Sequence, residues 1–328
     1  MRSGMRLARF SQRALADRPQ PHHRPGYART QPMALQFAKY EGLGNDFVVV
    51  EALETAQLET ALDEAQARAL CDRHRGIGAD GVLLIEGDPA HPRMRVINAD
   101  GSQPEMCGNG LRCVALHLVR RGFAPAGQDF LVETDAGPHR CRVASAERES
   151  IVEVSMRPAS LVPREIPVVS SGEAAVLDEA FSIAGTQVKL SCVSMGNPHA
   201  VTFEPAAVDA RQKLGPLLEK HERFPKAANI GFARVVGAQE IELAVWERGV
   251  GFTEACGTGA CACAVAAVET GRVTREQPVI VKLPGGPLEI RVGAPGDRIS
   301  MKGPARHVFD GTFVHSSTHE VRCVTSAR

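Results

Sequence analysis

A shift of 149 residues lays one half of this chain on the other and carries Cys107 onto Cys256. The same shift pairs Gly108 with Gly257, Gly110 with Gly259, Ala115 with Ala264, Val119 with Val268 and Gly122 with Gly271. It continues without a gap to Gly137-Pro138 on Gly286-Pro287, and upstream it pairs Val96 with Val245 and Asn98 with Glu247. Nearer the start of each half, "GNDFVV" (44–49) echoes "GNPHAV" (196–201) at a slightly different offset. Matches that keep their order over the same stretch of each half are the mark of two similar domains. Any fold for this chain must therefore be built twice.

There is material for two cores, since 44% of the 328 residues are hydrophobic. Lys plus Arg balances Asp plus Glu at 38 each, so no net charge points to nucleic acid or to a membrane surface. No run of eighteen apolar residues is present, and no transmembrane helix is expected. Residues 1–32 hold seven arginines against the single acid Asp17 and lack a continuous apolar stretch, which argues against a secretory signal. We expect residues 1–35 to form a disordered leader, and 314–328 a tail. The nine cysteines, an odd number without a secretion signal, fit free thiols in a reducing compartment. A structural zinc site would show paired C-x2–4-C knuckles, whereas "CGTGACAC" scatters its sulfurs, so no metal is expected.

The local patterns repeat with the halves. "FVVV", "MRVI", "FLVET", "HRCRV" and "IVEVSM" predict strands, and "LRCVALHLVRRG" has helical spacing with a stop at Gly122. In the second half "IELAVW" predicts a strand and "GACACAVAAVETG" a helix ending at Gly271, while "VIVKLPGGPLEIRV" predicts a hairpin turning at 284–286. A helix with no polar face is normally buried all round. The expected class is α/β, with two pseudo-symmetric domains, each a set of strands wrapped around a central helix, and an active site in the cleft between them. The expected limits are 36–154 for the first domain, completed by about 303–313, and 155–302 for the second.

Each repeated cysteine stands just before such a helix, followed by Gly108-Asn109-Gly110 or Gly257-Thr258-Gly259. Glycines there expose backbone N–H groups that favour anions, can lower the pKa of a nearby thiol, and can bind a carboxylate. If the domains face each other, two sulfurs can flank one bound molecule. That arrangement suits inversion at carbon, with a thiolate removing a proton from one face while a thiol delivers a proton to the opposite face.

The motifs carry a family resemblance. "GLGNDF" (42–47), "RHRGIGADG" (73–81), "NADGSQPEMCGNGLRC" (98–113), "MGNPHAVTF" (195–203), "NIGF" (229–232), "ERGVGFTEACGTGAC" (247–261) and "LPGGPLEI" (283–290) resemble those of diaminopimelate epimerases, in family order over roughly residues 36–313. The resemblance implies a cofactor-independent, cytoplasmic, homodimeric isomerase of lysine and cell-wall precursor synthesis that interconverts LL- and meso-diaminopimelate. By the same resemblance Cys107 and Cys256 are the acid–base pair, and His199 with Glu247 adjusts the thiol pKa values. Asn45, Asn98, Asn197, Asn229, Glu247 and Arg248 contact substrate, and the amides at Gly108-Asn109 and Gly257-Thr258 hold carboxylates.

Gly81 and Phe252 depart from the residues often found at their positions, a glutamine and a smaller polar side chain. Other readings stay open at this level: a proline or hydroxyproline racemase of the same broad fold, a non-catalytic amino-acid-binding protein, or a thiol-redox protein. Outside the pattern, Asn45 and Asn98 would serve equally as turn residues.

Overall fold

The β-branched runs do become strands, and they pair in the same sequence twice. The computed structural model describes residues 33–52, 62–204, 207–315 and 321–325. The first half contains β1 (Met33–Gly42), β2 (Asn45–Glu51), helix α1 (Glu64–Cys71), β3 (Gly81–Asp88), β4 (His91–Asn98), helix α2 (Gly108–Arg120), β5 (Asp129–Val132), β6 (His139–Val143) and β7 (Glu149–Met156). The second contains β8 (Glu179–Ile183), β9 (Thr186–Ser194), β10 (Pro198–Thr202), helix α3 (Val208–Glu219), β11 (Asn229–Gly237), β12 (Glu240–Glu247), β13 (Gly251–Thr253), helix α4 (Gly257–Glu269), β14 (Pro278–Leu283), β15 (Gly286–Arg291), β16 (Ile299–His315) and β17 (Val321–Thr325).

In the first half β1–β2 is antiparallel, β2–β3 parallel and β3–β4 antiparallel; β4 then meets β5 through the parallel bridge Arg93–Glu133, and β5–β6 and β6–β7 are antiparallel. The second half repeats that pattern through β9–β10, β10–β11, β11–β12, β12–β14, β14–β15 and β15–β16. The hairpin after β14 turns through Pro284-Gly285, with Leu283 facing Gly286.

Long β16 belongs to both halves. Ser300–Lys302 pair with β15, whereas Arg306–His315 pair with β1 and close the first barrel. Over Ile299–Arg306 β16 also lies along β7, joining the two barrels edge to edge. Beyond β7, Ser160 bridges Ser194 at the end of β9 and closes the second barrel. The expected leader lies largely outside the described residues, but its last three positions, Met33–Leu35, already pair with Phe313–His315. At the other end β17 pairs with Gly311–His315 of β16.

Each barrel wraps a helix. α2 packs on β1–β4, β6, β7 and β16, and α4 on β9–β12 and β14–β16. Every residue of α4 except Thr258 and Glu269 is buried, as its lack of a polar face predicts. Its small side chains, mostly Ala, Cys and Gly, let the strands close around a whole helix rather than around side chains alone. α2 is buried from Gly108 to Val119 even though it carries Arg112 and His117. His117 is satisfied, with Nε2 at 2.8 Å from Glu51 Oε1 and Nδ1 at 3.2 Å from the Tyr40 hydroxyl. Among the described residues no helix is long and apolar enough to cross a membrane.

Candidate active site

Equivalent strand ends gather at one rim of each barrel. In the first barrel β2 begins at Asn45, β3 begins at Gly81 and β4 ends at Asn98, with Phe47 and Asn98 both facing Gly81 in the ladders. In the second, Asn197 immediately precedes β10, β11 begins at Asn229, β12 ends at Glu247, and His199 faces Asn229. The positions that repeat in the backbone therefore differ in side chain: Phe47 against His199, Gly81 against Asn229, Asn98 against Glu247. A symmetric scaffold has acquired an asymmetric lining.

Both cysteines are N-cap residues, Cys107 of α2 and Cys256 of α4, with extended backbones at φ −130° and −122°. An N-cap side chain normally offers oxygen to the free amides of the first turn. Here sulfur takes that place, and the Gly110 amide donates to Cys107 Sγ at 3.4 Å. Cys256 is 5% exposed and Cys107 half-buried.

The two helix starts are joined across the seam between the barrels. Asn109 Nδ2 donates to the carbonyl of Ala255, the residue before Cys256, at 3.1 Å, and to Asn45 Oδ1 at 3.2 Å. Gly285 of the second barrel sits so close to the first that a Cβ there would lie 2.0 Å from the Leu43 carbonyl oxygen. Only glycine permits that approach.

Electrostatics runs against the simple expectation from the helix ends. Burial, the largest influence, pushes the Cys256 thiol well up, and the negative charge of Glu247 adds to it. Burial also raises Cys107, with Glu247 adding and the amides of Gly110 and Asn109 and the charge of Arg112 opposing. Loss of water outweighs the amide dipoles, so both groups are held as thiols near neutrality. Glu247 is the acid that acts on both, and Thr253 Oγ1 donates to its carboxylate.

His199 reaches Cys256 indirectly. It bonds Asn197 Oδ1 through Nε2 at 3.0 Å, Asn197 Nδ2 lies 3.4 Å from Thr258 Oγ1, and Thr258 Oγ1 lies 3.6 Å from Cys256 Sγ. Burial, with the charge of Arg248 nearby, pushes the imidazole down to about 3, so His199 is neutral and its Nε2–H donates to Asn197. The unfolded chain would bind a proton at this residue below about pH 6.5, whereas the folded chain does not. Stability is thus lost as pH falls from 6.5 toward 3, by up to about 1.4 kcal/mol per pH unit from this one group. His199→Phe, which copies the repeat position Phe47, should flatten that slope. Urea midpoints of parent and variant measured between pH 4.5 and 6.5 check it, and parallel slopes would show that His199 protonates freely in the fold.

The remaining predicted residues are placed around this centre with different degrees of engagement. Asn229 is 5% exposed and donates to the Pro198 carbonyl at 2.9 Å while accepting from the Arg248 amide at 3.0 Å. The Arg248 side chain is exposed and donates to the Lys226 carbonyl at 2.9 Å. Asn98 is occupied locally, its amide donating to Ser102 Oγ at 2.9 Å. Gly108, Asn109 and Gly257 are buried in the first turns of the two helices, and Thr258 is half-buried there. Phe252 is accommodated edge-on against Trp246 at 5.3 Å, and Gly81 contributes backbone between Phe47 and Asn98.

The diaminopimelate epimerase family model matches residues 37–162 and 191–308, most of both barrels. Diaminopimelate epimerase of Acaryochloris marina is 43% identical over 289 residues, covering 86% of this chain and 99% of the relative. That of Desulforudis audaxviator is 46% identical over 285 residues, covering 86% and 100%. The chain belongs to the diaminopimelate epimerase family. Solved structures share its fold at low identity. A hydroxyproline epimerase from Agrobacterium vitis, with trans-4-hydroxy-L-proline bound, superposes with a TM-score of 0.60 at 13% identity, covering 89% of this chain and 94% of that one. A predicted epimerase from Pseudomonas aeruginosa gives 0.59 at 18%, covering 84% and 98%. Such identities speak for the architecture alone.

Within this diaminopimelate epimerase family member, several groups behind the rim escaped the motif reading. Asp80 Oδ2 accepts from Asn45 Nδ2 at 2.6 Å and from the Asp46 amide at 3.1 Å, and Arg73 donates to Asp80 Oδ1 at 2.7 Å. Burial works against ionising Asp46, yet hydrogen bonds from Arg73 and Lys39 hold its carboxyl down to about 2. The polar side of "RHRGIGADG" was visible in the sequence, but not that it braces Asn45. Arg112 was equally visible as a lone charge in an apolar helix.

Proposed function

We propose that this protein interconverts LL- and meso-diaminopimelate without a cofactor, by proton removal to a cysteine thiolate on one face of the reacting carbon and proton delivery from a cysteine thiol on the other. The observation that carries the reading is the placement of Cys107 and Cys256 as N-caps of two helices that meet across one seam, both under the influence of Glu247. A cysteine on each side suits inversion, since neither group needs to move around the substrate. Both are held as thiols, so one must first lose its proton to serve as the base while the other donates, and the roles exchange with reaction direction.

In this reading the amides of Gly108-Asn109 and Gly257-Thr258 hold the carboxylate next to the reacting carbon, where they also stabilise charge spreading into it in the transition state. Asn45, Asn98, Asn197 and Asn229 with Glu247 and Arg248 recognise the amino groups and the distal carboxylate. His199 holds Asn197, and through Thr258 it affects Cys256. Family membership at over 40% identity supports diaminopimelate over the smaller imino acids, and a site with contacts for a second amino-acid end disfavours ligands that lack one. The working assembly is a homodimer in the cytoplasm, and light scattering of the purified chain tests the first part.

Purified reduced protein, given neither pyridoxal phosphate nor metal, should convert LL-diaminopimelate to the meso isomer in deuterated water and place deuterium at the inverted carbon. Activity should survive a chelator and truncation to Met33. Turnover of proline instead of diaminopimelate would select the other racemase class. No turnover of either by folded protein would leave a binding role.

A further inference from the structure

An arginine inside a barrel-wrapped helix demands a reason. Arg112 of α2 is wholly buried, donating from Nε to the Pro304 carbonyl at 3.1 Å and from Nη1 to Asn109 Oδ1 at 3.1 Å; Nη1 also lies 3.9 Å from Met301 Sδ. Among the described residues its Nη2 has no hydrogen-bond partner. Among the ionisable groups near enough to act on its charge are Cys113 of α2, the N-cap Cys107, Cys261 of α4 and Glu41 near the end of β1. Glu41 is engaged instead by Arg306 at 2.9 Å. Space is kept for the orphaned end, because a Cβ on Gly42 would lie 3.2 Å from Nη2.

Burying a guanidinium without an acid is costly, and an apolar side chain of similar size usually serves stability as well or better. What the arginine adds is orientation. Because Asn109 Oδ1 accepts from Arg112, Asn109 Nδ2 must face the Ala255 carbonyl and Asn45 Oδ1, the two acceptors it is found on. Asn45 is held from its other end by Asp80, and Asp80 by Arg73. The bonds thus run in one direction from Arg112 through Asn109 and Asn45 to Asp80, which also accepts from Arg73 on its other oxygen. A branch from Asn109 ends on the carbonyl of Ala255, the residue that precedes Cys256.

We propose that Arg112 is a positioning residue for the cysteine pair: its buried guanidinium locks the Asn109 amide in the orientation that ties the Cys107 helix to the turn carrying Cys256, and supplies positive charge to the seam when a thiolate forms there. The activity test rests on the epimerase reading given above. Around Cys107 the groups that bear on thiolate formation are Arg112, which favours it, and Glu247, which opposes it, together with the Asn109 and Gly110 amides. Glu247 also opposes it at Cys256, where Thr258 and the Gly259 amide favour it.

Arg112→Met should fold with a thermal midpoint equal to or above that of the parent, while kcat falls about 10²-fold with KM little changed, as for a misplaced reacting group. Arg112→Lys keeps the charge but cannot make the forked contacts, and should also lose most turnover. In an Asn109→Ala background, Arg112→Met should add little further loss, because the arginine acts through that amide. Iodoacetamide alkylation of Cys107, followed by mass spectrometry without substrate, should slow in Arg112→Met at fixed pH. Parental kcat in either variant would overturn the proposal. So would a fall in activity that only tracks lost stability, with parental alkylation rates. If Arg112→Met fails to fold, Arg112→Lys decides by the same two readouts. If the parent itself does not epimerise, the proposed function fails, and the alkylation comparison still decides the role of Arg112.

Discussion

Cys107→Ala and Cys256→Ala should each lower epimerisation by about 10³-fold or more, within the range expected when a positioned acid or base is removed. Both variants should keep the fold. Cys107 accepts one long hydrogen bond from the Gly110 amide, and Cys256 makes no cap hydrogen bond, so neither sulfur is a strong support for its helix. Each substitution therefore costs about 1 kcal/mol or less from loss of the cap. Kinetics in both directions with circular dichroism on the same samples separate the two effects. Retention of full epimerisation by either variant would end the two-thiol mechanism.

Arg248→Lys is expected to lower kcat/KM by roughly 10- to 100-fold, the scale of one or two charge-assisted hydrogen bonds. The backbone at Arg248 is pinned by Asn229, and a single hydrogen bond, to the Lys226 carbonyl, engages its guanidinium among the described residues. That leaves a planar fork at the exposed rim, beside neutral His199, able to take a carboxylate with two parallel contacts. Lysine keeps the charge and loses the geometry. Unchanged kinetic constants for Arg248→Lys would remove Arg248 from the substrate contacts and leave it as a surface charge tied to Lys226.

The architecture was legible because the chain states it twice. Cys107 and Cys256, the glycines after each and the stops at Gly122 and Gly271 mark the same helix in both halves, and the apolar composition of α4 alone required strands on every side of it. Hairpin β14–β15 followed from its Pro-Gly-Gly-Pro turn, and the cysteine pair from its place in the repeat.

Local pattern could not decide how the halves exchange strands, because β16 is one continuous run whose early residues pair with β15 and whose late residues pair with β1, 265 to 282 positions upstream. Nor could it decide the state of the thiols. The Cys-Gly-x-Gly turns predict depressed pKa values from exposed amides, but closure of two barrels over the seam removes water, and desolvation at Cys107 and Cys256 exceeds the pull of a few amide dipoles. The same closure turns Asp80 and Arg112 into supports for Asn45 and Asn109. Sequence alone determined which residues repeat and where the helices begin. Tertiary structure decided which of those residues share a seam, because hydrogen-bond direction and dielectric environment depend on neighbours that lie as far apart in the chain as Asn109 and Ala255.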